Sequence, residues 1–133
     1  MSQKALQQDQ SQSKNLRILV VDDEADIVEF LVEVLHDYGH AVDGFHTGKS
    51  ALERIDGRDA QYDVLVTDAN MPDIKGAEVA EAFLNRFPKA RVCLMSGHLD
   101  PDHILSEKLR NHQVHIQQKP FESKALIQWI VSG

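Results

Sequence analysis

Carboxylates stand where two apolar runs of the chain end. The run "LRILVV" (16–21) leads into Asp22, Asp23 and Glu24, and "VLV" (64–66) passes through Thr67 into Asp68. A third run, "VCLM" (92–95), ends in Ser96-Gly97, and "VHIQQ" (114–118) ends in Lys119-Pro120. If these runs are neighbouring strands, the groups at their carboxyl ends face one crevice, and Asp22, Asp23 and Asp68 lie within a few ångströms of one another. Like charges that close raise one another's pKa and destabilise the fold unless a cation joins them. Oxygen ligands in small number, with room for water, suit Mg²⁺. A bound Mg²⁺, the Lys119 ammonium and the small Ser96 hydroxyl together form a phosphoryl site. Asp68 can itself be the acceptor, because a carboxylate can form an aspartyl-phosphate.

The elements that must position these groups are legible from hydrophobic period. Short, continuous apolar runs at 16–21, 64–66 and 92–95 suit strands buried on both faces of a parallel sheet. "AVDGF" (41–45) and "VHIQQ" are more interrupted, as edge strands are. Between them lie helix-period stretches. Ile27, Val28, Leu31, Val34, Leu35 and Tyr38 form one face; Ala51, Leu52 and Ile55 a second; Ala80, Phe83, Leu84 and Phe87 a third. Ile104, Leu105 and Leu109 mark a fourth helix opened by Asp100-Pro101, and Leu126, Trp129 and Ile130 mark a fifth. Five strands alternating with five helices predict an α/β, doubly wound parallel sheet. With the second and fifth strands at the edges the order is 2-1-3-4-5, flavodoxin-like, and the ligand site falls beyond the carboxyl ends of the first and third strands.

Composition bounds the function. A chain of 133 residues, 42% hydrophobic and 26% charged, is one ordinary globular domain. Residues 1–15, Gln/Ser-rich and without apolar period, read as a disordered tail, leaving 16–133 as the domain. A net charge of −7 gives no support for direct nucleic-acid or anionic-membrane binding. No apolar stretch approaches the ~20 residues of a membrane span, and no signal peptide is visible. The single cysteine, Cys93, excludes an internal disulfide and reads as a core thiol. These features point to the cytoplasm.

The motifs "VVDDE", "DANMPDIKG", "MSG" and "QKPF", in that order and each at a strand end, closely resemble those of the response-regulator receiver domain of two-component signalling, over about 16–131. The resemblance implies a phosphorelay switch rather than an enzyme with a substrate of its own. It makes Asp68 the phosphoacceptor, Asp23 a direct Mg²⁺ ligand, Asp22 a ligand acting largely through water, and Asn70 a backbone-carbonyl ligand. It assigns Ser96 the hydroxyl that closes on the phosphoryl group and Lys119 the ammonium that pairs with it. Pro120 stands where the family usually has a cis peptide bond, which would aim Lys119 inward. The implied partners are a histidine kinase or histidine phosphotransfer protein, an effector reached through the fourth helix, fifth strand and fifth helix, and a second copy of the chain. One departure concerns Ile116: three residues before the lysine the family often carries an aromatic side chain that turns inward on phosphorylation.

Plainer readings stand beside these. Asp22 and Asp23 also suit a helix cap. Lys119 alone would be a surface lysine, and Ser96 alone a turn residue. The seven histidines assemble no zinc site and read as surface residues, and Trp129 reads as helix packing. "HTGKS" (46–50) imitates the end of a P-loop, but the required earlier glycine is Asp43. A haloacid-dehalogenase-type phosphatase needs an acid two residues after its nucleophile, and that position holds Asn70. A phosphorylation-independent scaffold would be expected to lack Asp23, Asp68 or Lys119, and all are present. No effector sequence follows "WIVSG", which fits either a single-domain regulator or a receiver cut from a longer protein.

Overall fold

The computed structural model describes residues 15–97 and 104–132. The expected polar tail, apart from Asn15, and the Asp100-Pro101 opening of the predicted fourth helix lie outside these residues.

The elements follow the alternation read from the sequence. They are β1 (Arg17–Val21), α1 (Ala25–Asp37), β2 (Ala41–Phe45), α2 (Gly48–Ile55), β3 (Val64–Asp68), α3 (Gly76–Arg86), β4 (Arg91–Ser96), β5 (Val114–Gln118) and α4 (Ser123–Ser132). The strands form one sheet in the order β2-β1-β3-β4-β5, every adjacent pair parallel. β1, β3 and β4 are buried along nearly their whole length, and the edge strands β2 and β5 are partly exposed. That contrast matches the continuous and interrupted apolar runs.

Alternation along each strand sends side chains to two cores. Leu19, Val21, Leu65, Val92 and Leu94 pack with Ala51, Ile55, Val79 and Phe83 on the side of α2 and α3. Ile18, Val20, Val64, Val66, Cys93 and Met95 pack with Val28, Leu31, Leu35, Leu126 and Ile130 on the side of α1 and α4. Burial of each such aliphatic side chain contributes ~1.5–3 kcal/mol, so the two layers clamp the sheet between them.

The structure departs from expectation in three places. Tyr38 is not part of the buried face of α1: it is the C-cap and is 60% exposed. The helix ends there because Gly39, at φ +95°, turns the chain away and donates to the His36 carbonyl at 2.9 Å. In the fourth predicted helix Ile104 is helical, but Leu105 and Ser106 are irregular and Leu109 opens a short 3₁₀ turn, Leu109–Asn111. The described residues thus hold four α-helices rather than five. Lastly, His40 is only 8% exposed, because its Nδ1 accepts the Leu16 N–H at 3.0 Å where β1 begins.

The amino ends of the strands are held by polar side chains with partners. The Asp63 carboxylate accepts the Arg17 N–H at 2.9 Å. The Arg91 guanidinium donates to the Trp129 carbonyl at 2.9 Å and to that of Ile130, satisfying the last turn of α4. It also lies 4.7 Å from the Trp129 ring centroid, and that ring stacks on His115 at 4.9 Å.

Candidate phosphoryl-transfer site

The carboxyl ends of β1 and β3 adjoin at the point where the strand order reverses. Asp22, immediately after β1, is fully buried, and its N–H donates to the Phe45 carbonyl at 3.1 Å. Its Oδ1 accepts the Glu24 N–H at 2.9 Å, but the N-cap of α1 is Glu24 and no side chain caps that end, so neither Asp22 nor Asp23 is the helix cap. Its Oδ2 lies 2.8 Å from Lys119 Nζ but takes no well-angled hydrogen bond. Asp23 is exposed at the crevice mouth. Asp68 ends β3 at 6% exposure.

Asp22, Asp23 and Asp68 each bring a carboxylate oxygen within 4.8 Å of the others. The electrostatic consequence falls on Asp68. Burial, then the Asp22 charge, push its carboxyl from 3.8 up to about 6, with a hydrogen bond to Asp23 adding to the rise and Lys119 working against it. Lys119 Nζ is 2.8 Å from Asp22, 3.1 Å from Glu24 and 3.3 Å from Asp68. Burial alone would lower the Lys119 ammonium, but the hydrogen bonds and charges of Asp22, Glu24 and Asp68 together hold it above its ordinary range. A partly buried cluster with more carboxylates than ammonium, and with an imperfectly bonded Asp22 Oδ2, fits a hard divalent cation.

Backbone links hold Lys119 in place. Ser96, 1% exposed at the end of β4, accepts the Lys119 N–H at its carbonyl at 2.7 Å. The Lys119–Pro120 peptide is cis. Beside Lys119 a groove of about 560 Å³ opens to the surface, lined in part by Glu24, Phe30, Pro120 and Phe121.

The loop after Asp68 is built against that residue. The Ala69 N–H donates to the Met95 carbonyl at 2.8 Å, and Gly76 donates back to the Ala69 carbonyl at 2.9 Å. Asn70 pairs with Lys75 across the loop, and its side chain is exposed. A Cβ on Gly76 would clash with the Asp68 carbonyl oxygen, so only glycine permits α3 to start this close to Asp68.

Every site residue named from the sequence thus lies at the carboxyl end of the sheet, and Asp22, Asp23, Asp68 and Lys119 meet directly. Two participants were not read from the sequence. Glu24 was seen only as part of "DDE", yet it is a partner of Lys119 across the crevice. Asp73 was seen only as a loop residue, yet its carboxylate accepts the Gly48 N–H at 3.1 Å and the Lys49 N–H at 2.8 Å at the start of α2. Nothing local in "MPDIKG" signals a contact more than twenty positions back in the chain.

The sequence profile of the response regulator receiver domain matches residues 18–131. The chain belongs to the response-regulator receiver family. The response regulator receiver protein CpdR of Brucella abortus is 32% identical over 115 residues, covering 84% of this chain and 90% of CpdR. The transcriptional regulatory protein CitT of Halalkalibacterium halodurans is 24% identical over 118 residues, and there the match spans 87% of this chain but only 51% of the relative. Among solved structures, a response regulator receiver protein from Sinorhizobium medicae superposes with a TM-score of 0.74 at 28% identity, covering 86% of this chain and 90% of that one. The chemotaxis response regulator CheY4 of Vibrio cholerae gives a TM-score of 0.75 at 24% identity over 88% of this chain and 97% of its own, a likeness of fold. No helix among the described residues of this receiver domain is long and apolar enough to cross a membrane.

Proposed function

We propose that this receiver domain is a phosphorylation-dependent switch whose acceptor is Asp68. A phosphohistidine of a histidine kinase or phosphotransfer protein donates the phosphoryl group. An Asp68 carboxylate oxygen attacks phosphorus as the phosphorus–nitrogen bond breaks, and the electron pair returns to the donor imidazole. Asp22, largely through water, Asp23, Asp68 and the Asn70 backbone carbonyl would hold Mg²⁺, which when bound neutralises charge on the transferring phosphoryl oxygens. Lys119 then exchanges its Asp68 contact for a phosphoryl oxygen, and the Ser96 hydroxyl donates to another.

The observation that carries this reading is the isolation of Asp68 at a strand end, 6% exposed, with Lys119 Nζ at 3.3 Å and two further aspartates within reach. The output surface would comprise the segment following Ser96, together with β5 and α4, within the cytoplasm. Ile116, partly buried against the α2/α3-side core, has no polar tip with which to follow Ser96, so its response to phosphorylation would be a shift of packing. Intact mass after incubation with a small phosphodonor and Mg²⁺ tests the assignment. Wild type gains one phosphate and Asp68→Ala gains none; equal uptake by both would remove Asp68 from the role.

A further inference from the structure

The acceptor loop and the start of α2 complete each other. Thr47 Oγ1 accepts the Ser50 N–H at 3.1 Å, but the Gly48 and Lys49 N–H groups have their partner in Asp73, on the loop that follows the acceptor. A carboxylate there also meets the positive end of the helix dipole. The contact is close as well as polar: a Cβ on Gly48 would lie 2.9 Å from Ile74 Cβ and 3.5 Å from Asp73 Oδ1. Backbone hydrogen bonds, first that of Lys49, hold the Asp73 carboxyl below its usual range, so both oxygens stay ionised acceptors at neutral pH.

The loop has other anchors of a different kind. Its base is closed by the Ala69–Gly76 hydrogen bond and the Asn70–Lys75 pairing, Met71 is buried beneath it, and Ile74 packs against the α2/α3-side core. Asp73 is the residue that ties its tip to a separate helix by hydrogen bonds, beside the apolar contact of Ile74. A tip free to rock would carry the Asn70 carbonyl with it, and a ligand carbonyl that must be re-ordered on each binding event weakens the metal.

We infer that Asp73 is a positioning residue that tethers the 70–75 loop to the N-terminus of α2 and thereby sets the affinity of the crevice for Mg²⁺. The inference rests on the proposed use of the Asn70 carbonyl as a metal ligand. It gives α2, which contributes no side chain to the crevice, a mechanical link to it.

Mg²⁺ alone, titrated into isotopically labelled protein and followed through the Asn70 and Asp23 amide resonances, tests this. Wild type, Asp23→Asn, Asp73→Ala and Asp73→Asn are compared, with amide exchange at Gly48 and Lys49 as a second readout. Partners outside the ligand shell typically alter metal affinity by about 10–100-fold, and a tether one step further out should cost about 3–10-fold in Asp73→Ala. Asp73→Asn keeps one acceptor oxygen and should recover most of that loss. Exchange at Gly48 and Lys49 should quicken in Asp73→Ala while the unbound protein remains folded. If wild type binds, Asp23→Asn does not, and Asp73→Ala binds as tightly as wild type, the tether is overturned while the metal site stands. If Asp23→Asn binds like wild type, or wild type does not bind, the metal reading falls and takes the tether with it. If Asp73→Ala does not fold, Asp73→Asn decides: weakened binding in a folded protein supports the tether, and wild-type binding overturns it.

Discussion

The two ends of the sheet treat their polar groups in opposite ways. At the amino ends three polar side chains meet complements: the buried His40 takes the Leu16 N–H, the exposed Asp63 takes the Arg17 N–H, and the partly buried Arg91 closes the last turn of α4. At the carboxyl ends Asp22, Asp23 and Asp68 crowd together around Lys119, and Asp22 Oδ2 lacks a well-angled donor. The same sheet carries both arrangements, so the difference is not imposed by the fold. One end contributes stability, and the other holds charge at a cost to the unliganded protein. On the proposed function this is expected: a site that receives a cation and a phosphoryl group must be incompletely satisfied beforehand, since a fully satisfied one would gain nothing from either.

The strongest challenge to this contrast is to break the satisfied end. Arg91→Met removes the guanidinium, leaving the Ile130 carbonyl without its side-chain donor and the Trp129 carbonyl with the Ser132 hydroxyl alone. Hydrogen bonds from a charged donor are worth ~1.5–3 kcal/mol, so a loss on the order of 3 kcal/mol is expected in urea unfolding. Phosphate uptake by the folded fraction should be unchanged, because the clamp lies at the far end of β4 from Ser96. A stability loss below about 0.5 kcal/mol, the scale of an ordinary surface substitution, would show that the clamp is incidental.

The opposite sign is expected in the crevice. Asp68 titrates at about 6 in the fold against an ordinary 3.8, so its contribution to stability is fully present below 3.8 and is lost as pH rises through 6. Asp68→Asn removes that loss. At about 1.4 kcal/mol per pKa unit, and allowing for the contact that Lys119 gives up, the variant should be more stable than wild type by on the order of 1 kcal/mol in chelator near pH 8. Saturating Mg²⁺ should abolish or reverse the advantage by binding wild type. A variant less stable than wild type in chelator would mean that Lys119 already compensates the cluster.

These ends were not equally legible in the sequence. The crevice could be read because its residues terminate apolar runs, and strand alternation then dictates where they go. "VLVTD" says both that β3 is buried and that Asp68 stands at its end. Sheet order was legible for the same reason, through the interruptions in "AVDGF" and "VHIQQ". The amino-end contacts leave no such trace. His40 accepts a backbone N–H from 24 positions away, and Arg91 donates to backbone carbonyls 38 and 39 positions on. A partner that is main chain has no side-chain identity to betray it. Asp73 escaped notice likewise. The predicted fourth helix overran because apolar spacing at Ile104, Leu105 and Leu109 is shared by a helix and by a 3₁₀ turn whose Leu109 is buried.

The smallest expected effect separates the two ends by acid. His40 Nδ1 must be unprotonated to accept from Leu16, and burial lowers the pKa of the ring below 6.5. Its contribution is therefore present above pH 6.5 and is lost as pH falls through the lowered value. Acid acts on Asp68 in the other direction: protonation below about 6 relieves the crowded crevice and stabilises the fold. In wild type the two partly cancel. Asp68→Asn should reveal the His40 effect alone, a loss of about 1 kcal/mol, the worth of one hydrogen bond, between about pH 7.5 and about pH 5 in chelator. His40→Gln, which supplies an acceptor that does not titrate, should reveal the crevice alone and gain stability over the same interval. Urea midpoints at intermediate pH give both curves, with wild type lying between them. If His40→Gln and wild type follow one curve, His40 keeps its neutral form throughout. The acid response of the protein then belongs to the carboxyl end alone, and the satisfied end is insensitive to pH as well as to ligand.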